Sequence, residues 1–330
     1  MKKIISLLLC GVMALGISFM PTQTENHDTS FPIYERTLDT TNAIPNYDAR
    51  AALGSDVLDI LEDASPDARV NFNGATGTIT VNEPTALMTR NIADIEPYVP
   101  EGLEIATPSA STRSVVGGNG SGDQRREITN VNAYPYCAVA YLEITYADNA
   151  TGSASGAFVG PTTILTAGHV VYDQDHGWAR SITVHPGGLD SNFSSSTTSS
   201  VASVNGWVND ANLEYDYGVI TISSSLGTGN FGTRSLTTSN LSGADIYNYG
   251  YPGDKDDGTL WYCVGDVGTV YTRRFLHSAD TYYGNSGGPV VKQDDYTYIV
   301  GIHSSQNDSN YNAATRVTSS VVSFVQDYLE

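Results

Sequence analysis

Basic residues are scarce in this 330-residue sequence: 16 Lys and Arg stand against 36 Asp and Glu, a formal charge of -20. Nucleic-acid phosphates need clustered cations, so this balance excludes a nucleic-acid-binding protein, and the acidic excess reads as solubility. Cysteine is rarer still, with three in the chain. One of them, Cys10, lies in the N-terminal apolar run, which leaves Cys137 and Cys263; an oxidising exterior allows these two to pair, and a single disulfide is expected. Long apolar runs are missing except at the start, where Lys2 and Lys3 precede a run from Ile4 to Met20. That run is interrupted by Ser and Gly and is shorter than the roughly 20 residues a membrane span needs. It has the layout of a secretory signal, so a signal peptide at 1–24 and a secreted, extracellular product are expected, with no membrane association once the signal is removed. Lipidation at Cys10 would want a small residue before it, and Leu9 is not small. Asp173 and Asp175 are too few and too generic to make a metal site, and neither a metal nor a cofactor is expected.

Residues 25–113 hold 15 acidic and 5 basic residues and end in ATPSASTR. This stretch reads as a pro-segment, removed by a separate activating protease that cuts after Arg113, so that the mature chain begins at Ser114. From Cys137 onward, short runs rich in Val, Ile, Tyr and Thr are cut by Gly, Asn, Asp and Pro (AVAYLEITY, SITVH, YGVITI, DIYNYGY, GTVYT, YTYIVGIH). Such spacing predicts an antiparallel all-β barrel or sandwich. Only the end has a helical period: Val317, Val321, Phe324, Val325, Tyr328 and Leu329 recur at three and four residues around a capping Thr318, predicting a helix over 317–329.

Three contexts carry chemistry. In GNSGGP at 284–289, flanking glycines permit a tight turn that exposes the hydroxyl of Ser286, and the backbone N–H groups of Gly284 and Ser286 could face a reacting carbonyl as an oxyanion hole. In TAGHVV at 166–171, His169 ends a strand-like run among small residues, where an imidazole with a pKa near 6.5 serves as a general base. In EYDYGVITI at 214–222, Asp216 leads into an apolar strand and can accept from the imidazole, fixing its tautomer. Taken singly, each has a plainer explanation: a hairpin turn, a satisfied core histidine, a turn aspartate. Their joint occurrence in the order His, Asp, Ser points to nucleophilic peptide hydrolysis, and that order differs from the subtilisin and α/β-hydrolase orders.

TAGHVVYD, YDYGVI, GYPGDK at 250–255, DTYYGNSGGP at 280–289 and TNVNAYPY at 129–136 resemble the bacterial glutamyl endopeptidases (V8 protease-like), within the wider trypsin-like peptidases. The resemblance covers 114–330. It implies two antiparallel six-stranded β-barrels, about 114–228 and 229–316, followed by the short C-terminal helix, with the site in the cleft between them. It further implies that His303, Thr281 and the freed α-amino group of Ser114 meet a substrate carboxylate, giving a preference for Glu, then Asp, before the scissile bond. Asp280, six residues before Ser286, keeps a Lys/Arg specificity open as the alternative. A non-catalytic secreted binding protein on the same fold is the alternative of a different class.

Overall fold

The computed structural model describes residues 38–84, 94–108, 122–307 and 311–329. The expected signal segment, Cys10, Arg113 and Ser114 lie outside the described residues. The chain is mostly β, and the strands fall where the Val-, Ile-, Tyr- and Thr-rich runs predict them, because β-branched and aromatic side chains fit a pleated, buried surface. In the first sheet, Gly177–Pro186, Val139–Tyr146, Thr151–Phe158, Thr163–Thr166, Gly218–Thr221 and Ser200–Val204 follow one another in that order. All four residues of Thr163–Thr166 and the first three of Gly218–Thr221 are buried, so both faces of these two strands are covered. Ser196–Thr198, just ahead of Ser200–Val204, pairs with Gly177–Pro186, so the six-strand ring closes.

The second sheet also returns on itself. Asp295–Gln306, Pro289–Lys292, Asp245–Gly250, Trp261–Val270, Arg274–His277 and Asn312–Arg316 pair in turn, and Asn312–Arg316 then pairs antiparallel with Asp295–Gln306. The expected all-β, two-barrel architecture is therefore present. Arg126–Glu127 is a local departure: it lies in the stretch assigned to the first barrel yet pairs with Trp261 and Tyr262 of the second sheet. The C-terminal helix is Ser319–Gln326, shorter than the 317–329 predicted, because Val317 donates its amide to the Val300 carbonyl at 3.0 Å and stays extended. Its cap is Thr318, as expected, and Phe324 packs edge-on to Tyr217 with ring centroids 5.1 Å apart. Among the described residues no helix is long and apolar enough to cross a membrane.

Part of the acidic N-terminal stretch is built into the first sheet. Arg69–Asn73 pairs with Ser200–Val204 along five residues, and Thr78–Asn82 pairs outside it. Phe72 stacks on Trp178 at 5.3 Å, Leu53, Val57, Leu61 and Val70 join the core, and each fully buried aliphatic side chain contributes about 1.5–3 kcal/mol. Asn205 donates to the carbonyls of Leu61 and Ala64, both at 2.9 Å, satisfying the end of the helix Ser55–Asp63.

The expected disulfide is not formed. Cys137 and Cys263 are free and buried. The first belongs to the larger core and donates to the Thr228 carbonyl at 3.2 Å; the second belongs to a separate core cluster inside the second sheet and accepts from the Asp280 amide at 3.2 Å. Two side chains packed into different cores have no path to the short Cβ separation a disulfide requires. Burial pushes each thiol up to about 12, which makes both inert. Alkylation followed by mass spectrometry is therefore expected to find no modification of the native protein and two modified cysteines after denaturation without reductant.

Candidate active site

Asp216 sits between the turn Leu213–Tyr215 and the strand Gly218–Thr221, with no solvent exposure. Its carboxylate accepts from the His169 amide at 2.8 Å, from His169 Nδ1 at 2.9 Å and from the Ser304 hydroxyl at 2.5 Å. Burial alone would raise its pKa, but the imidazole and these hydrogen bonds outweigh burial and hold it below the usual carboxylate value. Thr315 secures the Asp216 carbonyl at 2.9 Å. His169 belongs to the single turn Gly168–Val171. A Cβ on Gly168 would lie 2.8 Å from the Trp207 ring and 3.0 Å from the Tyr217 amide, so glycine is what lets the His169 and Asp216 segments approach.

Ser286 is half-buried on a double turn. Asn285 donates to the Tyr282 carbonyl at 3.0 Å and Gly288 to the Asn285 carbonyl at 2.9 Å. Gly284 and Gly287 have φ of 94° and 84°, the positive values that such turns demand and only glycine adopts freely. Among the described residues, the amides of Gly284 and Ser286 donate to no backbone carbonyl.

The three contexts meet through backbone contacts. A Cβ on Gly287 would lie 2.0 Å from Thr166 Oγ1 and 3.0 Å from the Ala167 amide, so the residue after Ser286 is pressed against the strand end that leads to His169. Gly287 donates to the His303 carbonyl at 2.8 Å and His303 to the Gly288 carbonyl at 2.9 Å, which ties the serine turn to the strand carrying Ser304. Ser155 links the remaining side: its amide donates to the Ser286 carbonyl at 2.8 Å and its hydroxyl to the Gly284 carbonyl at 2.7 Å. Neither Ser155 nor Ser304 carries a local sequence signal: Ser304 follows His303 within an ordinary strand, and Ser155 lies in a plain run of small residues.

His303 is buried, 4% exposed, and its Nδ1 lies 3.3 Å from Nε2 of the fully buried His277. Burial, chiefly, pushes His277 down to about 4. His303 is pushed well below its ordinary value by burial and then by His277 and His169, with Asp216 opposing. Both rings are therefore neutral at neutral pH. Among the described residues His277 Nδ1 has no partner, and an unpartnered lone pair is better tolerated in a core than an unpartnered N–H. This favours the tautomer in which His277 Nε2–H donates to His303 Nδ1, and His303 then carries its proton on Nε2. Thr281 is half-buried beside Asp280. The Asp280 carboxylate accepts from the Gln124 amide at 3.1 Å.

A trypsin-like peptidase domain model matches residues 154–302, which span His169, Asp216 and Ser286. A glutamyl endopeptidase of Bacillus licheniformis is 34% identical over 259 residues, covering 74% of this chain and 75% of that protein. A Bacillus subtilis protein named an extracellular metalloprotease is 36% identical over 211 residues, covering 62% of this chain and 67% of that protein. A solved Glu endopeptidase superposes with a TM-score of 0.57 at 29% identity, covering 64% of this chain and 98% of that one. The metalloprotease name has no counterpart in the side chains here: among the described residues no three His, Cys, Asp or Glu come together in a way that could hold a metal. The Asp173 carboxylate accepts from the amides of Asp175 and His176 at 2.7 and 3.0 Å.

The buried histidine pair makes stability depend on pH. Folded His277 titrates near 4 against 6.5 for an ordinary imidazole, so as pH falls the unfolded chain binds protons first. The contribution of a neutral His277 is complete above about pH 6.5 and is lost progressively down to about pH 4, a difference on the order of 3 kcal/mol. Urea unfolding at pH 7 and pH 4.5 is expected to show a smaller acid loss in His277→Gln than in the parent protein.

Proposed function

We propose that this chain, a serine endopeptidase that belongs to the bacterial glutamyl endopeptidase family of trypsin-like peptidases, acts through an acyl-enzyme on Ser286 and prefers Glu, then Asp, before the scissile bond. The observation that carries the reading is the double grip of Asp216 on the amide and Nδ1 of His169. That grip leaves Nε2 as the basic nitrogen and supports the imidazolium once it forms. Ser286 attacks the carbonyl, His169 takes the hydroxyl proton and returns it to the leaving amine, and water then releases the acyl group by the same route. The amides of Gly284 and Ser286, which donate to no backbone carbonyl among the described residues, receive the developing oxyanion.

Glu preference is supported by how the two candidate recognition groups are used. Asp280, which would bind Lys or Arg, accepts from the Gln124 amide. His303 carries a neutral ring whose Nε2–H remains after the bond from His277. A substrate carboxylate entering there would find the His303 donor and the Thr281 hydroxyl, and would itself favour proton uptake by His303. Gln124 lies ten residues after Ser114 in the sequence, so the new amino terminus has enough chain to reach the same pocket. Glu and Asp differ by one methylene, worth about 1–3 kcal/mol, so some cleavage after Asp follows.

Export is supported by the leader pattern and by the word extracellular in the name of the Bacillus subtilis relative. The proposed layout is a signal at 1–24, a pro-segment at 25–113 and a peptidase domain at 114–330. With Glu preference, cleavage after Arg113 falls to a different protease, so purified precursor incubated alone is expected to remain intact at that bond.

Peptides differing only in the residue before the scissile bond (Glu, Asp, Lys, Arg, Leu) are expected to give the highest kcat/KM with Glu. His303→Ala then lowers Glu cleavage selectively, whereas fastest cleavage after Lys or Arg would transfer the recognition role to Asp280. Ser286→Ala is expected to abolish turnover with the circular dichroism spectrum unchanged, and Asp216→Asn to lower kcat by about ten-thousandfold.

A further inference from the structure

The oxyanion turn is held from the side by an arm that no motif marks. Arg125 is one residue past Gln124, in the segment that follows the undescribed stretch 109–121. Its guanidinium makes a two-pronged pair with Asp254, Nη1 to Oδ1 at 2.7 Å and Nη2 to Oδ2 at 2.5 Å. It pairs a second time with Asp123, Nε to Oδ1 at 2.8 Å and Nη2 to Oδ2 at 2.9 Å. Asp123 also takes Lys255 Nζ at 2.5 Å, and Arg125 lies over the Tyr282 ring at 5.7 Å. The Arg125 side chain is only 8% exposed, while Asp123 and Asp254 keep 37% and 29% exposure, so a covered guanidinium forks onto two carboxylates that remain in reach of water.

Asp254 adjoins Gly253, whose amide donates to the Tyr283 carbonyl at 2.6 Å. That carbonyl belongs to the same peptide unit as the Gly284 amide. A trans peptide is planar, with its C=O and N–H pointing in opposite directions, so pinning the Tyr283 oxygen on the 253 side turns the Gly284 N–H away from that loop. The loop is also close underneath: a Cβ on Gly284 would lie 2.3 Å from the Tyr251 carbonyl and 3.2 Å from the Gly253 amide. Residue 285 is Asn, whose side chain donates to Asn248, so the residue inside the turn brings no charge that could hold it. The charged tie is lateral, through Arg125 and Asp254.

We infer that Arg125 is a positioning residue for peptide hydrolysis: through Asp254 and Gly253 it fixes the Tyr283–Gly284 peptide with its N–H directed at the oxyanion. This rests on the oxyanion role given above to Gly284. Because the arm begins just after the expected cleavage point, it also connects maturation with the alignment of this one amide.

The test compares mature wild type, Arg125→Gln, Arg125→Lys, Asp254→Asn and the double variant R125Q/D254N. Active sites are counted by fluorophosphonate labelling run to completion, and kcat and KM are measured per labelled site. An oxyanion donor acts in the transition state, so Arg125→Gln is expected to lower kcat about tenfold or more with KM within about twofold. Affinity for a peptide aldehyde, which forms a tetrahedral adduct, falls in step with kcat, while affinity for the cleaved product peptide does not. Arg125→Lys, which keeps the charge and loses the fork, recovers part of the rate, and R125Q/D254N is no slower than Arg125→Gln alone. A variant that merely loosens the fold would lose labelled sites and leave kcat per site unchanged; that result in both Arg125→Gln and Asp254→Asn overturns the inference. Wild type that is neither labelled nor active would instead overturn the functional reading, and the inference with it.

Discussion

A single buried carboxylate organises this molecule. Asp216 is removed from water, and a buried carboxylate is tolerable only when its charge is answered by donors held in place. Those donors come from both halves of the protein: the amide and ring of His169 from the first barrel, and the hydroxyl of Ser304 from the second. Thr315, also from the second, fixes the Asp216 main chain. The same charge that orients the imidazole therefore sets how the two barrels meet. Packing behind it is tight, with Trp207 edge-on to His169 at 6.1 Å and Tyr217 edge-on to Phe324 of the C-terminal helix.

The readable part of the sequence was the part with local causes. His169, Asp216 and Ser286 each stand in a short context whose chemistry is complete within a few residues, and the glycines around them mark backbone that must turn or approach closely. The strand runs were legible for the same reason. What escaped depends on contacts between distant segments: Ser155 and Ser304 look like ordinary strand serines until the fold sets them against the serine turn and Asp216. The C-terminal helix is shorter than its apolar stripe because Val317 fits the stripe, yet a strand claims its amide. The cysteine pairing failed because residue counts say nothing of which core a thiol enters. The hairpin of Arg69–Asn73 and Thr78–Asn82 escaped because acidic, aromatic-poor composition hid its pairing with Ser200–Val204.

That hairpin changes how the N-terminal stretch is understood. A segment sharing five residues of register with a barrel strand, and stacking Phe72 on Trp178, is part of the packed core rather than a tether. The segment 122–127 engages Asp280, Asp254 and the Tyr282 ring just before the Ser286 turn. Maturation between these two segments would thus separate a structural element from a positioning element. The His277 and His303 pair fits this economy of charge: burial, first of all, keeps both rings uncharged.

Peptide mapping of the fluorophosphonate adduct tests the central claim most directly. Convergence of His169, Asp216 and Ser286 predicts that the adduct lies on the peptide containing Ser286 and forms at least a thousandfold more slowly, on the order of general-base catalysis, in His169→Ala. An adduct on another serine, or equal labelling of Ser286 without the imidazole, would contradict it.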